Sequence, residues 1–338
     1  MKILLINVTG RSGSTGKICT DLFNEYKKKG HDVRLCYGRD DKSSDDAQIK
    51  IASTFEVYFH VAMTRLTGYV GHFSPIATRR LLRYIETFQP DIVHIHEIHG
   101  YYVNLVPVVN YLKKNKINTV WTFHCEYLYT GKCGFSYACN KWEQNCGNCP
   151  HLKEYPASLF FDKTSQMLVE KRKLFHDFDR LVLAPVSAWV RDRAIHSDFL
   201  GDKQFNVVFN GTNLDVFYPR KELAEALKKK HGITNEKIIL HVTPNFDDPR
   251  KGGKYVLDLA NRLRDEQIKL IVIGAKTQVD ATNNMIVLAR TEDQVELAGY
   301  YSMADVCLLT SQQETFSMVC AESLCCSTPV IGFDSGAT

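Results

Sequence analysis

Two glutamates, Glu314 and Glu322, bracket the start of a helix-prone run in Glu314-Thr315-Phe316-Ser317-Met318-Val319-Cys320-Ala321-Glu322. Ser317 is a residue type that caps helix N-termini. Such a terminus offers free N–H groups and partial positive charge, which suits a diphosphate. Glu314, just ahead of the helix, would face the same ligand, with Phe316, Ser317 and Met318 beside it. Glu322 lies about one and a half turns further on, where it could accept hydrogen bonds from ribose hydroxyls. Two surface glutamates around an ordinary helix would show the same spacing, so the surrounding residues have to decide.

Other stretches also carry chemistry. His124 ends an apolar strand, Thr119–Phe123, at the carboxyl edge where α/β sheets place ligands. Gly10-Arg-Ser-Gly13-Ser-Thr-Gly16-Lys17 follows the first strand and opens a helix. It is not a Walker A loop, because no glycine stands five residues before Gly16 and Ile18 replaces the magnesium-binding Ser/Thr. Nor does it have dinucleotide spacing. His94, His96, Glu97 and His99 could bind a transition metal; a polar loop on the rim of a cleft, touching an acceptor sugar, is the preferred reading. Cys133, Cys139, Cys146 and Cys149 can form a tetrahedral zinc site, with Gly131, Gly134 and Gly147 leaving their segment little core of its own. Zinc ranks ahead of disulfides and of free thiols for a chain in a reducing compartment. Asp177-Phe178-Asp179 superficially matches a metal-binding Asp-x-Asp, but lies between a helical segment and a strand.

Apolar strand-like runs alternate with helical-period segments throughout: strands at Lys2–Val8, Asp32–Tyr37, Ile92–Ile95 and Leu181–Pro185, helices at about Ile18–Lys29, Ile76–Phe88 and Leu105–Lys114, and a last strand of the first half at Gln204–Phe209. The second half repeats the plan from Lys237–Val242 to Pro329–Phe333. This pattern predicts βαβ units and parallel sheets covered on both faces. The length, 338 residues, predicts two domains, 1–212 and 213–338, with a Cys-rich insertion at about 125–156. The end directly after a strand predicts that further elements are missing. Composition is that of a globular protein, 44% apolar and 24% charged. A net charge of +4 spread along the chain argues against a nucleic-acid partner. No apolar run approaches membrane-spanning length, and the N-terminus reads as a buried strand, so a cytoplasmic location is expected.

The ordered set of motifs resembles the large retaining glycosyltransferase family 4, also called group 1, whose signature is two glutamates separated by seven residues. Arg250-Lys251-Gly252-Gly253 looks like its lysine-glycine step. Asn210-Gly211-Thr212-Asn213…Phe217-Tyr218-Pro219, Pro185-Val186-Ser187 and Ala304-Asp305-Val306 are similar to further family segments. The resemblance implies a GT-B fold, two Rossmann-like domains with parallel sheets facing across a cleft, and sugar transfer from a nucleoside-diphosphate sugar with retention. It implies that Lys251 grips the donor phosphates, that Glu314 positions the sugar, that His124 hydrogen-bonds it, and that Thr15 and Gly16 lie closest to the diphosphate. No catalytic metal or other cofactor is implied. Trp121-Thr-Phe-His-Cys125…Thr130-Gly-Lys-Cys133…Cys146-Gly-Asn-Cys-Pro150 resembles a subgroup acting in colanic-acid-like and capsular polysaccharide synthesis. That subgroup implies a glycan or lipid-linked glycan acceptor and peripheral contact with the inner face of a membrane, for which Arg79, Arg80, Arg83, Lys113 and Lys114 are candidates, solvated helix faces being an equal reading of the same residues. The chain departs from the pattern twice. Cys125 stands where Asp is common, and Val242-Thr-Pro-Asn245 replaces a Gly-Arg whose arginine also holds phosphate, a role Arg250 could take. A non-catalytic binding module and a sugar-nucleotide-modifying enzyme are the alternatives.

Overall fold

The computed structural model describes residues 1–275 and 281–337. The chain divides into two compact units, Met1–Phe209 and Asn210–Thr338.

The first unit is built on a seven-stranded sheet of β1 (Lys2–Thr9), β2 (Asp32–Arg39), β3 (Gln48–Lys50), β4 (Ile92–Ile95), β5 (Asn118–Phe123), β6 (Leu181–Pro185) and β7 (Gln204–Phe205). Its order is β3-β2-β1-β4-β5-β6-β7, and every pairing is parallel. The helices are α1 (Gly13–Lys28), α2 (Thr54–Thr67), α3 (Pro75–Phe88), α4 (Leu105–Lys114), α5 (Thr164–Phe175) and α6 (Ala188–Ile195). Strand alternation explains the continuous apolar run of β1. Ile3 and Leu5 pack with Cys19 and Phe23 of α1, while Leu4 and Ile6 pack into the larger core with Leu81, Val108 and Leu168. A strand covered on both faces has no polar side to show.

The second unit has α7 (Lys221–Lys230), β8 (Lys237–Val242), α8 (Gly253–Arg262), β9 (Ile268–Ala275), β10 (Met285–Ala289), α9 (Gln294–Met303), β11 (Val306–Leu309), α10 (Met318–Cys325) and β12 (Val330–Gly332). Its parallel sheet runs β10-β9-β8-β11-β12. In β9, Ile271 and Ile273 join one core with Leu240 and Cys307, and Leu270 and Val272 join the other with Val256 and Ala260.

Several elements differ from expectation for physical reasons. α1 begins at Gly13, inside the glycine-rich run, because Ser12 adopts an extended N-cap conformation and Gly13 tolerates φ of 70°. The strand expected over 204–209 is only Gln204–Phe205 long. α10 starts at Met318, so Phe316 precedes the helix and Ser317 is its N-cap. α2 carries no outward polar face: Phe55, Tyr58, Phe59 and Leu66 are exposed, which hides it from a periodicity argument. Its capping box does mark it, since Ser53 Oγ accepts from Glu56 N–H and the Glu56 carboxylate accepts from Ser53 N–H.

Candidate functional site

Open parallel sheets bind ligands beyond the carboxyl ends of their strands, where the strand order reverses. In the second unit that point lies between β8 and β11. The segment after β8 supplies Lys251 and the segment after β11 supplies Glu314, and their side chains pair at 2.8 Å. The pair is held from behind. Gly252 has φ of 71°, and a Cβ there would stand 2.1 Å from Thr310 O. Thr310 Oγ1 donates to Lys251 O at 2.8 Å, and Gln312 N–H donates to Arg250 O at 2.8 Å. Glu314 is fixed by its own backbone, which pairs with Ser335 and Ala337.

The helix that follows has the expected cap: Ser317 Oγ accepts from Cys320 N–H at 3.1 Å. Glu322 accepts from the buried Tyr301 hydroxyl at 3.1 Å, a partner nothing in the sequence pattern indicated. The Arg250 guanidinium lies on Asp248, in bonds from Nε and from Nη2, the latter 2.5 Å long. Asn245, in the segment that departs from the family pattern, buries an Oδ1 with no hydrogen-bond partner among the described residues.

In the first unit the strand order reverses between β1 and β4. Asn7, buried at the end of β1, accepts from Glu97 N–H at 3.2 Å and so joins the two segments there. The glycine-rich loop directs its N–H groups to Asp40, which follows β2. Arg11 and Ser12 donate them to Asp40 Oδ2 at 3.0 and 2.9 Å, and the Ser12 hydroxyl donates to Oδ1. Burial pushes the Asp40 carboxyl up, but these donors and Gly10 N–H outweigh it and hold the group below its ordinary value. Thr15 lies half-buried in the first turn of α1. Gly16 is buried, and a Cβ there would meet Thr9 Oγ1 at 2.7 Å and the Arg11 backbone at 2.8 Å. Close packing thus accounts for that glycine.

His124 directly follows β5, and its Nε2 lies 2.9 Å from His96 Nδ1. His94 bonds Thr122 Oγ1 at 2.8 Å. Burial depresses all three imidazoles; His94 falls to about 4, and Glu97 opposes the fall at His124. The His94–His99 stretch is therefore not the polar rim loop that the sequence suggested. His94, His96, Glu97 and His99 are all buried.

Between β5 and α5 the chain forms one regular element, a 3-10 turn at Lys141–Glu143. Cys133, Cys139, Cys146 and Cys149 lie here as half-buried thiols. A hydrogen bond between Cys133 and Cys149 pushes the Cys133 thiol up and holds Cys149 down. The segment has more support of its own than its composition suggests. Glu126, fully buried, accepts from Ser136, Tyr129 and Arg193. Lys132 donates to the carbonyls of Leu152, Glu154 and Pro156. Lys171 donates to those of Tyr127 and Thr130, and burial brings it down to about 7. Asp177 is exposed and engaged with His176 and Lys113.

The expected residues thus fall into two groups. His124, Thr15, Gly16 and the four cysteines belong to the first unit. Arg250, Lys251, Glu314, Phe316, Ser317, Met318 and Glu322 belong to the second, where Lys251 and Glu314 touch. Asp40, Tyr301 and the His96–His124 contact were missed. The first two are commonplace residue types in unremarkable sequence, and the third joins residues brought together by strand order alone.

Comparison with known proteins agrees with this architecture. The model of "Glycosyltransferase Family 4" matches residues 15–216, and that of "Glycosyl transferases group 1" matches residues 224–338. WcaC of Escherichia coli, described as a colanic acid biosynthesis glycosyl transferase, is 24% identical over 353 residues, covering 100% of this chain and 84% of its own length. Among solved structures, the sucrose-phosphate synthase of Thermosynechococcus elongatus superposes with a TM-score of 0.66 at 17% identity, covering 99% of this chain and 82% of its own. The lipopolysaccharide-biosynthesis glycosyltransferase WaaG gives 0.65 at 14% identity, covering 99% and 81%. HepE of Anabaena, in complex with UDP-glucose, gives 0.61 at 13% identity, covering 99% and 81%. Two Rossmann-like units, matched in turn by the two family models, make this chain a glycosyltransferase of family 4 with the GT-B fold.

Proposed function

We propose that the protein transfers a sugar, with retention of configuration, from a nucleoside-diphosphate sugar to a glycan or lipid-linked glycan acceptor in surface polysaccharide synthesis. The observation that carries this reading is the Lys251–Glu314 pair at the β8–β11 reversal, next to the capped N-terminus of α10. Lys251 and the helix N–H groups would stabilise negative charge growing on the leaving diphosphate. Glu314 would hold the sugar, Phe316 and Met318 would line the donor, and Glu322, set by Tyr301, would accept from the ribose. Arg250 would reach phosphate only by leaving Asp248. His124, Thr15 and Gly16 would contribute from the first unit, and no cofactor takes part in the chemistry.

We assign the protein to the cytoplasm, at the inner face of a membrane. Among the described residues no helix is long and apolar enough to cross a membrane. The exposed Phe55, Tyr58, Phe59 and Leu66 of α2 and the exposed Leu159–Phe161 support surface contact. Arg80 and Lys113 suit that role less than the sequence suggested, since Arg80 pairs with Glu56 and Lys113 with Asp177. Structural zinc on Cys133, Cys139, Cys146 and Cys149 is part of the proposal. All four are free thiols: Cys133 interacts with Cys149 and Cys146, and Cys146 with Cys139, with Lys132 beside Cys133 and Lys171 beside Cys146, although among the described residues no three of these sulfurs lie within 4.8 Å of one another.

The test is a donor screen. UDP sugars come first, because the Anabaena neighbour was solved with UDP-glucose. Slow donor hydrolysis, or transfer to a glycan extract with the donor's anomeric configuration kept, is expected. Tight nucleotide binding without turnover of any donor would make the protein a binding module instead.

A further inference from the structure

Glu97, His99 and Cys125 bring a carboxylate, an imidazole and a thiol to one point. The first two lie after β4 and the third after β5. His99 Nδ1 stands 2.7 Å from Glu97 Oε2. Cys125 Sγ stands 3.6 Å from that oxygen and 4.0 Å from that nitrogen. Among the described residues this set places three such donor atoms within 4.8 Å of one another.

The use of a single ring nitrogen decides what the cluster can do. In a nucleophile–imidazole–acid relay the acid and the nucleophile sit on opposite nitrogens. Here carboxylate and thiol both face Nδ1, so a proton cannot pass through the ring from one to the other. Three lone-pair donors instead share a centre. Bond lengths of about 2.0–2.3 Å to a tetrahedral zinc separate its donor atoms by about 3.3–3.7 Å. The three separations seen here scatter around that range, and opening the Glu97–His99 contact is the main adjustment needed.

The surroundings are set for an ion. The His99 ring stacks on Tyr127 with centroids 4.7 Å apart and planes at 22°. A cavity of about 10 Å³ is bounded by Glu97, His99, Cys125, His96 and His124. That is room for a single atom, not for a sugar. His96, in the same lining, buries an Nε2 that has no hydrogen-bond partner among the described residues.

We propose that Glu97 Oε2, His99 Nδ1 and Cys125 Sγ bind one divalent transition-metal ion of the zinc class. Thiolate and imidazole together select such ions over magnesium and calcium. Binding releases the Cys125 thiol proton and requires His99 Nδ1 to present its lone pair to the ion, which leaves Nε2 as the ring's only N–H. Three protein ligands leave the fourth position to water or to a further donor. The ion ties the segment after β4 to the segment after β5, one residue from His124. This site is separate from the four-cysteine cluster and does not depend on glycosyl transfer.

Cobalt(II) titration of the full chain tests it, read by metal uptake and by the thiolate-to-cobalt charge-transfer band. The four-cysteine cluster contributes equally to the natural chain, to Cys125→Ser and to Glu97→Gln, so differences between them report this site. The natural chain should take up one equivalent more than Cys125→Ser and show a stronger thiolate band. Glu97→Gln, which keeps every cysteine, should lose the same equivalent and carries the comparison if Cys125→Ser does not fold. Equal uptake and equal spectra in the natural chain and the folded variants overturn the proposal.

Discussion

Lys251 Nζ and Glu314 Oε1 meet at 2.8 Å across sixty-three residues of sequence. They flank the point where the strand order of the second sheet reverses, and both are only partly exposed. Lys251→Met should lower kcat/KM for the nucleotide-sugar donor by about 10²- to 10³-fold, the usual loss for one preorganised contact to developing negative charge. Stability should fall as well, by about 1 kcal/mol or more, because the side chains are only 26% and 12% exposed and Glu314 is left without its cation. Steady-state kinetics with a thermal melt checks both, and unchanged kinetics would remove Lys251 from the site.

Gly252 is the hinge on which that pair depends. Alanine there adopts an unfavourable left-handed φ, about 1–2 kcal/mol for the conformation alone, and its Cβ runs into Thr310 O. Gly30 has a similar φ of 79° with open space around it. Gly252→Ala should therefore destabilise well beyond Gly30→Ala in urea titrations and weaken nucleotide binding as well. Equal losses in the two variants would contradict the close approach to Thr310.

Acid should loosen each unit through a buried neutral histidine. Burial depresses His60 to about 3 in the first unit and His241 to about 4 in the second. His241 Nδ1 donates to Leu308 O, which leaves a buried Nε2 with no partner among the described residues to take a second proton's hydrogen bond. The unfolded chain takes that proton near pH 6.5 and the folded chain does not. The stability each group contributes is thus present above pH 6.5 and is lost at about 1.4 kcal/mol per pH unit below it, down to the folded-state value. Urea midpoints at pH 7.5, 6 and 5 should fall accordingly. His241→Gln should flatten the decline in the second unit, and an equally steep profile would refute this account.

The Cys-rich segment hangs on a buried ion pair, Glu126 with Arg193 at 2.8 Å. Removing one partner of such a pair typically costs about 3–5 kcal/mol, because the other charge stays buried. Arg193→Met should unfold the segment early under limited proteolysis. The double variant with Glu126→Gln should recover part of the loss. No difference between single and double variants would mean that the carboxylate is compensated elsewhere, by Ser136 and Tyr129.

The sheets were legible because strands buried on both faces read as unbroken apolar runs, as Ile3–Ile6 does. The helix after Ser317 was legible because a cap is a local signal. α2 was not, because its exposed aromatic residues cancel the amphipathic pattern. Within the candidate site, Lys251, Glu314 and Glu322 stood out by motif. Their partners did not: Tyr301 reaches Glu322 only through packing of α9 beside α10, and His96 reaches His124 only because β4 and β5 are neighbours. Such contacts are products of topology, and no spacing rule along one segment contains them.

Asp40 gives the glycine-rich loop a selectivity of its own. Its carboxylate already occupies the N–H groups of Arg11 and Ser12, so it acts as a tethered competitor at high effective concentration. A weak, singly charged anion gains nothing by displacing it. Arg11, Arg39, Lys42 and Lys50 line the neighbouring pocket, so the positive charge there stands beside N–H groups that are already engaged. The loop thus carries its own internal anion, and any other anion at these N–H groups has to displace it.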